Sequence, residues 1–268
     1  MTLTKYFKLF DISLQNTVVY RWNFILRTLF DVIPLVGTVY LWRALFQSRG
    51  QPIAGYDFSA MVFYFLLTLL ASNLITPADD EWQIAADIRE GQLNALLIKP
   101  VNYLAYRTSL FLGNRTIHST TILPLVLIVF ACFHQYVHLP REGMTWVWTA
   151  LTLGLAALLQ FLLAYAVAML AFWFLEISTV VFIILSFEYF LSGHLFPLDI
   201  APGWFRVISE WMPFTYELFF PVSVFLEKTQ GAALWKGMAI QTGWVVVMWA
   251  LGRLMWSRGL RRYGAFGG

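Results

Sequence analysis

Four histidines are the side chains in this sequence best suited to metal or acid–base chemistry: His118, His134, His138 and His194. His134 and His138 are four positions apart, so on a helix they would share a face and could hold a metal ion. Glu142, one turn further on, would be the third ligand. The surrounding sequence instead favours two interfacial histidines on a loop, and we predict no metal site.

Motifs for catalysis and nucleotide binding are missing from the chain. There is no Gly-x-Ser-x-Gly elbow to hold a nucleophilic serine, and no Gly-x-x-x-x-Gly-Lys-Ser/Thr loop to bind nucleotide phosphates. We therefore predict no catalytic residue and no cofactor bound by this chain.

The composition is that of a membrane protein. Of 268 residues, 59% are hydrophobic and only 12% are charged, and the mean hydropathy is +0.67. So few charges cannot cover the surface of a soluble protein of this size, whereas a bilayer requires no polar coat. The net charge of +3 comes from basic residues scattered among apolar runs, so we expect no nucleic-acid partner.

Six apolar stretches are long enough, or nearly long enough, to cross the bilayer as helices, which predicts an all-α polytopic fold. They cover residues 24–46, 58–76, 109–133, 147–174, 178–196 and 232–256. An even number of spans places both termini on one side. Nine basic residues lie on that side against five on the other, which predicts that both termini lie in the cytosol. The nine are Lys5, Lys8, Arg21, Arg89, Lys99, Arg107, Arg258, Arg261 and Arg262.

Three segments outside the spans complete a predicted single domain of residues 1–268. Residues 1–23 carry apolar side chains at helical spacing and are predicted to lie as a helix in the lipid headgroup layer. Residues 77–102 form a cytosolic loop. Residues 193–231 form an external segment whose Gly and Pro residues interrupt an apolar run, which favours a re-entrant hairpin. An ordinary loop with an aromatic belt is the alternative.

One carboxylate, Glu188, lies in the middle of the fifth predicted span. An ionisable side chain at membrane depth is costly and by default indicates a function. We predict that Glu188 lines a cavity or a subunit interface, the alternative being a satisfied internal hydrogen bond. Arg115 and His118 are its candidate partners.

The most informative string runs from Ile88 to Val101 in the 77–102 loop. Its three leucines at positions i, i+3 and i+4 are Leu93, Leu96 and Leu97. A short helix beginning near Gly91 and stopped by Pro100 would present them as an apolar ridge. The ridge would dock on a partner protein, or else rest on the bilayer or beneath the protein's own bundle.

In their order along the chain, these features resemble the membrane subunits of the ABC type-2 transporter family. The resemblance is to the branch with an Ile-x-x-Gly-x-Leu-x-x-Leu-Leu-x-Lys/Arg-Pro-Val stretch between spans two and three, which here begins at Ile88. A Ser-Gly-x-x-x-Pro-Leu stretch at residues 192–198, followed by Pro-Phe at Pro213, also matches. The resemblance covers nearly the whole chain.

The resemblance implies a multi-pass permease subunit of an ABC exporter in the cytoplasmic (inner) membrane. It would work by alternating access beside a second permease copy or a related permease. A separate ATP-binding cassette ATPase subunit would bind ATP and Mg. The residues implied as ATPase contacts are Arg89, Glu90, Gly91, Leu93, Leu96, Leu97, Lys99 and Pro100. The candidates for the pathway or its outer gate are Glu188, Gly193, Pro197, Pro213 and Phe214.

Two rival interpretations stay open. An ion-coupled secondary transporter would show inverted repeats with a broken helix in each half, and this sequence is interrupted only near Gly193. An integral-membrane enzyme acting on lipids would cluster His, Asp or Glu at one interface. The candidate cluster is the run Asp79, Asp80, Glu81, Asp87 and Glu90, which has no histidine beside it.

Overall fold

The computed structural model describes residues 21–75 and 80–263, together with residues 8, 10 and 11. In this part of the chain the secondary structure is helical and no β-sheet forms. The α-helices, numbered in chain order, are α1 (Arg21–Arg49), α2 (Phe58–Ile75), α3 (Asp80–Arg89), α4 (Leu93–Leu97), α5 (Tyr103–Cys132), α6 (Gly143–Ala168), α7 (Ser178–Leu191), α8 (Gly203–Glu210), α9 (Phe219–Phe225) and α10 (Gly231–Arg262). Short 3₁₀ turns lie at His134–Tyr136, Met169–Phe172, Leu198–Ile200 and Pro213–Tyr216.

Five helical stretches among the described residues are long and apolar enough to cross a membrane. They are Leu29–Arg49, Phe58–Arg89 (of which residues 76–79 are not described), Tyr103–Cys132, Gly143–Phe172 and Gly231–Arg262. They correspond to predicted spans one, two, three, four and six. The chain is therefore a polytopic, all-helical membrane protein.

The fifth predicted span, residues 178–196, corresponds to α7, which has only 14 residues and ends at Leu191. Such a helix is about 21 Å long, against ~30 Å of hydrocarbon, so α7 alone is too short to cross. The count of six spans stays a prediction. The predicted interfacial helix at residues 1–23 lies outside the described residues, apart from positions 8, 10, 11 and 21–23, which are helical.

Helix α5 begins six residues before the predicted start of the third span, at Tyr103 instead of position 109. The cause is Asn102, whose side-chain Oδ1 accepts a hydrogen bond from the backbone N–H of Ala105 at 3.0 Å and so caps the helix. Arg107 therefore lies inside α5 and is 5% exposed. Its predicted position between spans two and three was wrong, because the helix begins before it.

The centre of the bundle is α6, whose residues from Leu159 to Ala168 are buried on every side. Helix α10 packs along α6, and three of its buried glycines lie against aromatic rings. Gly252 lies against Tyr165 of α6, Gly259 against Phe172 just after α6, and Gly237 against Phe220 of α9. By contrast, α1 exposes large apolar side chains such as Phe30, Ile33 and Tyr40. In a membrane protein such a face meets lipid, because it has no polar coat to offer water.

Apolar clusters at the two ends of the bundle hold the candidate sites. One cluster joins α3, α4, the start of α5, the end of α6 and the start of α7, and this end is called the α4 end below. A second cluster joins α1, α2, the end of α5, the middle of α6 and α9, which is itself part of residues 193–231. This end is called the segment end. Among the predicted coupling residues, Leu93 belongs to the first cluster, whereas the predicted gate residue Gly193 lies against Tyr64 of the second.

Candidate functional site

A tight turn separates α3 from α4 at Gly91. The backbone of Gly91 has φ +76°, a left-handed conformation that glycine adopts at little cost and other residues do not. Helix α4 follows at once and ends at Leu97, before Pro100. The predicted short helix between Gly91 and Pro100 is therefore present, and the turn explains why the motif requires a glycine there.

The apolar residues of α4 divide between two environments. Leu93 is fully buried in the cluster at the α4 end, and Leu96 is half-buried against the same cluster. Leu97 is 45% exposed, and Ile98, immediately after the helix, is 85% exposed. Leu93 thus serves the protein's own packing, and the free apolar surface consists of Leu97 and Ile98. We call these two residues the α4 tip.

A buried polar network fastens α3 to α5 behind α4. The guanidinium of Arg107 forms an ion pair with the carboxylate of Asp87, and the Tyr103 hydroxyl donates to the same Asp87 oxygen at 2.7 Å. Arg107 also donates to the backbone carbonyl of Gln83 at 3.1 Å. Because the charges of Asp87 and Arg107 are paired, this network holds together α3 and α5, the two helices that precede and follow α4 in the chain.

The α3–α4 turn also contacts the connection between α6 and α7. Arg89 donates from Nη1 to the backbone carbonyl of Leu175 at 2.9 Å. Glu176, next in the chain, accepts the backbone N–H of Ser178 at 2.9 Å, and this hydrogen bond lowers the pKa of Glu176. The two contacts link the candidate coupling region directly to the first turn of α7.

At the segment end, Gly193 is the residue about which residues 193–231 turn back on α7. It has φ +90°, and its carbonyl accepts a hydrogen bond from the Tyr64 hydroxyl at 2.7 Å. A Cβ at this position would lie only 2.6 Å from the Tyr64 oxygen. Both the backbone conformation and the lack of space therefore require glycine.

The other predicted gate residues start or fill turns of residues 193–231. Pro197 and Pro213 are buried and precede or begin 3₁₀ turns. Phe214 packs against the same cluster as Val181 of α7, so this turn reaches well into the bundle. Thr215 then donates to the carbonyl of Leu191 at the end of α7 at 3.1 Å. These residues tie residues 193–231 to α7.

Helix α8 carries the aromatic surface of this segment. Trp204 and the following Trp211 are 67% and 77% exposed, and Val207 is 56% exposed between them. Ser209 on the opposite face is buried and donates to the carbonyl of Phe205 at 2.9 Å. Exposed tryptophans on an amphipathic helix are typical of the membrane–water interface.

A polar clamp at the segment end joins this segment to the start of α2. The Tyr56 hydroxyl donates to Asp199 Oδ2 at 3.0 Å, and Lys228 Nζ lies 3.7 Å from the same oxygen. The Lys228 ammonium also lies 3.0 Å from the centre of the Tyr56 ring. Burial lowers the pKa of Lys228, and the Asp199 carboxylate opposes that change.

Glu188 meets an amide rather than a cation. Its Oε1 accepts a hydrogen bond from Gln160 Nε2 of α6 at 2.9 Å, whereas Arg115 donates to the backbone carbonyl of Asn73. A second carboxylate, Glu217, lies within electrostatic range of Glu188 and is 2% exposed. We therefore replace Arg115 and His118 by Gln160 as the partner of Glu188.

Several residues that contribute to these sites were not identified from the sequence. A signal existed for Gln160, a lone amide in the apolar helix α6, and for Glu217, an isolated acid among apolar residues. The pair Asp87 and Arg107 gave no local signal, because they lie 20 positions apart. Of the two loop histidines, His138 contacts Ser59 Oγ at 3.0 Å.

Comparison with known proteins identifies the family. No curated protein matches the chain significantly. The family described as "ABC-2 family transporter protein" matches residues 32–267, which takes in every helix described above except the first turns of α1. Because this match covers far more than half of the chain, the protein belongs to the ABC-2 transporter family and is a membrane permease subunit of an ABC transporter.

Proposed function

We propose that this chain is the permease of an ABC exporter of the cytoplasmic membrane, and that a separate ATPase subunit binds to the α4 tip. The observation that carries the proposal is the exposure of Leu97 and Ile98 on a helix whose other side is anchored in the protein. Exposed apolar side chains on a rigid base are the usual centre of a protein–protein contact. In this proposal ATP and Mg²⁺ bind to the ATPase.

The proposed topology places the α4 end in the cytosol, with both termini, and the segment end outside. Basic residues support this orientation. Even without Arg107, which is buried inside α5, eight of the nine predicted cytosolic basic residues remain, against five on the other side. The five outer residues are Arg49, Arg141, Arg206, Lys228 and Lys236.

The contacts supply a route from the ATPase to the outer gate. A displacement of α4 would act on α7 through Arg89 and the carbonyl of Leu175. Movement of α7 would then act on residues 193–231 through Thr215 and Leu191. Helix α7 is too short to cross the membrane and is joined to polar turns at its end. Such a helix can shift as a rigid body, as alternating access requires.

The pairing of two permeases is part of the same proposal. Helix α7 exposes Phe182, Phe187 and Phe190 on one face. A second permease copy, or a related permease, would cover this face and complete the pathway. Lipid would cover α1 and the tryptophans of α8.

The test is co-purification of the permease with its ATPase from detergent. Leu97→Asp and Ile98→Asp replace apolar contact by unpaired charge at a buried interface, so we expect either variant to reduce ATPase recovery at least about tenfold, equivalent to ~1.4 kcal/mol. Leu139→Asp is the matched control, because Leu139 is 64% exposed but lies in the α5–α6 connection at the opposite end of the bundle. Normal recovery with both α4 variants, at normal expression, would refute the assignment of the α4 tip.

A further inference from the structure

A group of buried oxygen atoms between α6, α7 and the start of α9 has no hydrogen-bond donors. The unpaired atoms are Gln160 Oε1, Glu188 Oε2 and both carboxylate oxygens of Glu217. Gln160 is 4% exposed and Glu217 is 2% exposed, so bulk water does not reach them. Leaving acceptors buried without a donor is costly, and each of these groups calls for a partner.

The charged side chains that act on this group are carboxylates. Glu188 and Glu217 lie within electrostatic range of each other, and Glu81 of α3 lies within range of Glu188. In the described part of the chain, neither Glu188 nor Glu217 forms an ion pair with a Lys, Arg or His. Two buried carboxylates that repel each other favour a bound positive charge.

A small cavity adjoins the side chains of Glu188 and Gln160. It has a volume of about 40 Å³ and is lined by Glu188, Gln160, Glu81 and the apolar side chains of Leu163, Val181 and Ile184. A water molecule needs ~10–15 Å³ of such space, so the cavity admits an ion or an ammonium group with one or two waters. It is far too small for a drug-sized molecule.

We propose that Glu188 and Gln160, together with the electrostatic influence of the buried Glu217 carboxylate, form a binding site for a compact monovalent cation, either Na⁺ or the primary ammonium group of an amine. All four unpaired atoms are acceptors, so they match a ligand that brings charge or N–H donors and no acceptor of its own. No set of three or more His, Cys, Asp and Glu side chains in the described residues is arranged to hold a metal ion, so the donor set suits a weakly held monovalent ion better than a transition metal.

The test measures the thermal unfolding of the full-length protein in detergent, with tryptophan fluorescence as the readout. Na⁺ or methylammonium is added while the ionic strength is held constant with N-methyl-D-glucamine, which is too large for the cavity. A ligand that binds the folded state raises the melting temperature saturably. We expect this rise in the wild type, with methylammonium alone indicating an amine ligand and Na⁺ alone indicating an inorganic ion.

Variants test whether the cation-dependent rise in melting temperature arises at this site. Glu188→Gln removes a buried charge without changing shape, so it should fold, and we expect it to raise the cation Kd at least about tenfold. Gln160→Leu removes one ligand oxygen and should also weaken binding. Glu142→Gln is the control, because Glu142 is exposed at the start of α6, and it should retain the wild-type response.

Three results would overturn the proposal. The first is a wild-type melting temperature that does not depend on the identity of the small cation. The second is a response that is unchanged in both Glu188→Gln and Gln160→Leu. The third is a melting temperature that changes with pH but with neither cation, which would mean that protons alone neutralise the carboxylates. Because the assay measures binding to the permease itself, its outcome is separate from that of the ATPase test.

Discussion

At the scale of single residues, Gly193 shows how backbone conformation and side-chain space act together. Gly193→Ala would force an alanine into φ +90° and bring its Cβ against the Tyr64 hydroxyl. We expect a loss of about 2–4 kcal/mol of stability from the strained backbone and the weakened hydrogen bond, measured by thermal unfolding in detergent. Gly243→Ala, where an added Cβ meets open space, should be nearly neutral. Equal melting temperatures for the two variants would contradict this account.

The ion pair of Asp87 and Arg107 is the second residue-scale case. Asp87→Asn or Arg107→Gln leaves the other charge buried, and we expect each to cost about 3–5 kcal/mol. The double variant should recover part of that loss, which a double-mutant cycle of unfolding measurements would show. Arg206→Gln provides the contrast, because its ion pair with Glu210 is half exposed and should be worth less than about 1 kcal/mol. Additive losses at Asp87 and Arg107 would show that the pair does not act as a unit.

At the scale of elements, the glycines of α10 determine how closely this helix approaches its neighbours. An added Cβ at Gly259 would overlap the ring of Phe172, and one at Gly237 would overlap the ring of Phe220. Gly259→Ala should therefore cost about 1–3 kcal/mol through overpacking, measured as a lowered melting temperature. Combining Gly259→Ala with Phe172→Leu makes room for the methyl group and should restore part of the loss. A double variant less stable than the sum of the two changes would argue against this packing.

At the scale of the whole molecule, the contact from Arg89 to Leu175 connects the predicted ATPase surface to α7. Arg89→Gln should leave ATPase binding intact while it weakens the transfer of movement to α7. A hydrogen bond of this kind is worth about 1 kcal/mol, so we expect ATPase stimulation by the permease to fall about fivefold. Parallel co-purification and ATPase assays distinguish the outcomes. Loss of ATPase binding would instead make Arg89 part of the docking surface.

The apolar runs alone determined the class of the protein. Stretches long enough to cross a bilayer are a property of neighbouring residues, so five of them were correctly predicted as helices before any packing was known. The turn at Gly91 and the break at Gly193 were predictable for the same reason, since both depend on local backbone conformation. The order of these local features also matched the family to which the chain belongs.

Packing between distant helices decided the rest. Asp87 meets Arg107 across 20 positions, Gln160 meets Glu188 across 28 and Tyr64 meets Gly193 across 129. Periodicity shows that a helix has an apolar face but not which neighbour covers it, so the sequence could not show that Leu93 turns inward while Leu97 and Ile98 stay exposed. Nor could it place a second carboxylate, Glu217, beside Glu188, because that approach exists only once residues 193–231 fold back into the bundle.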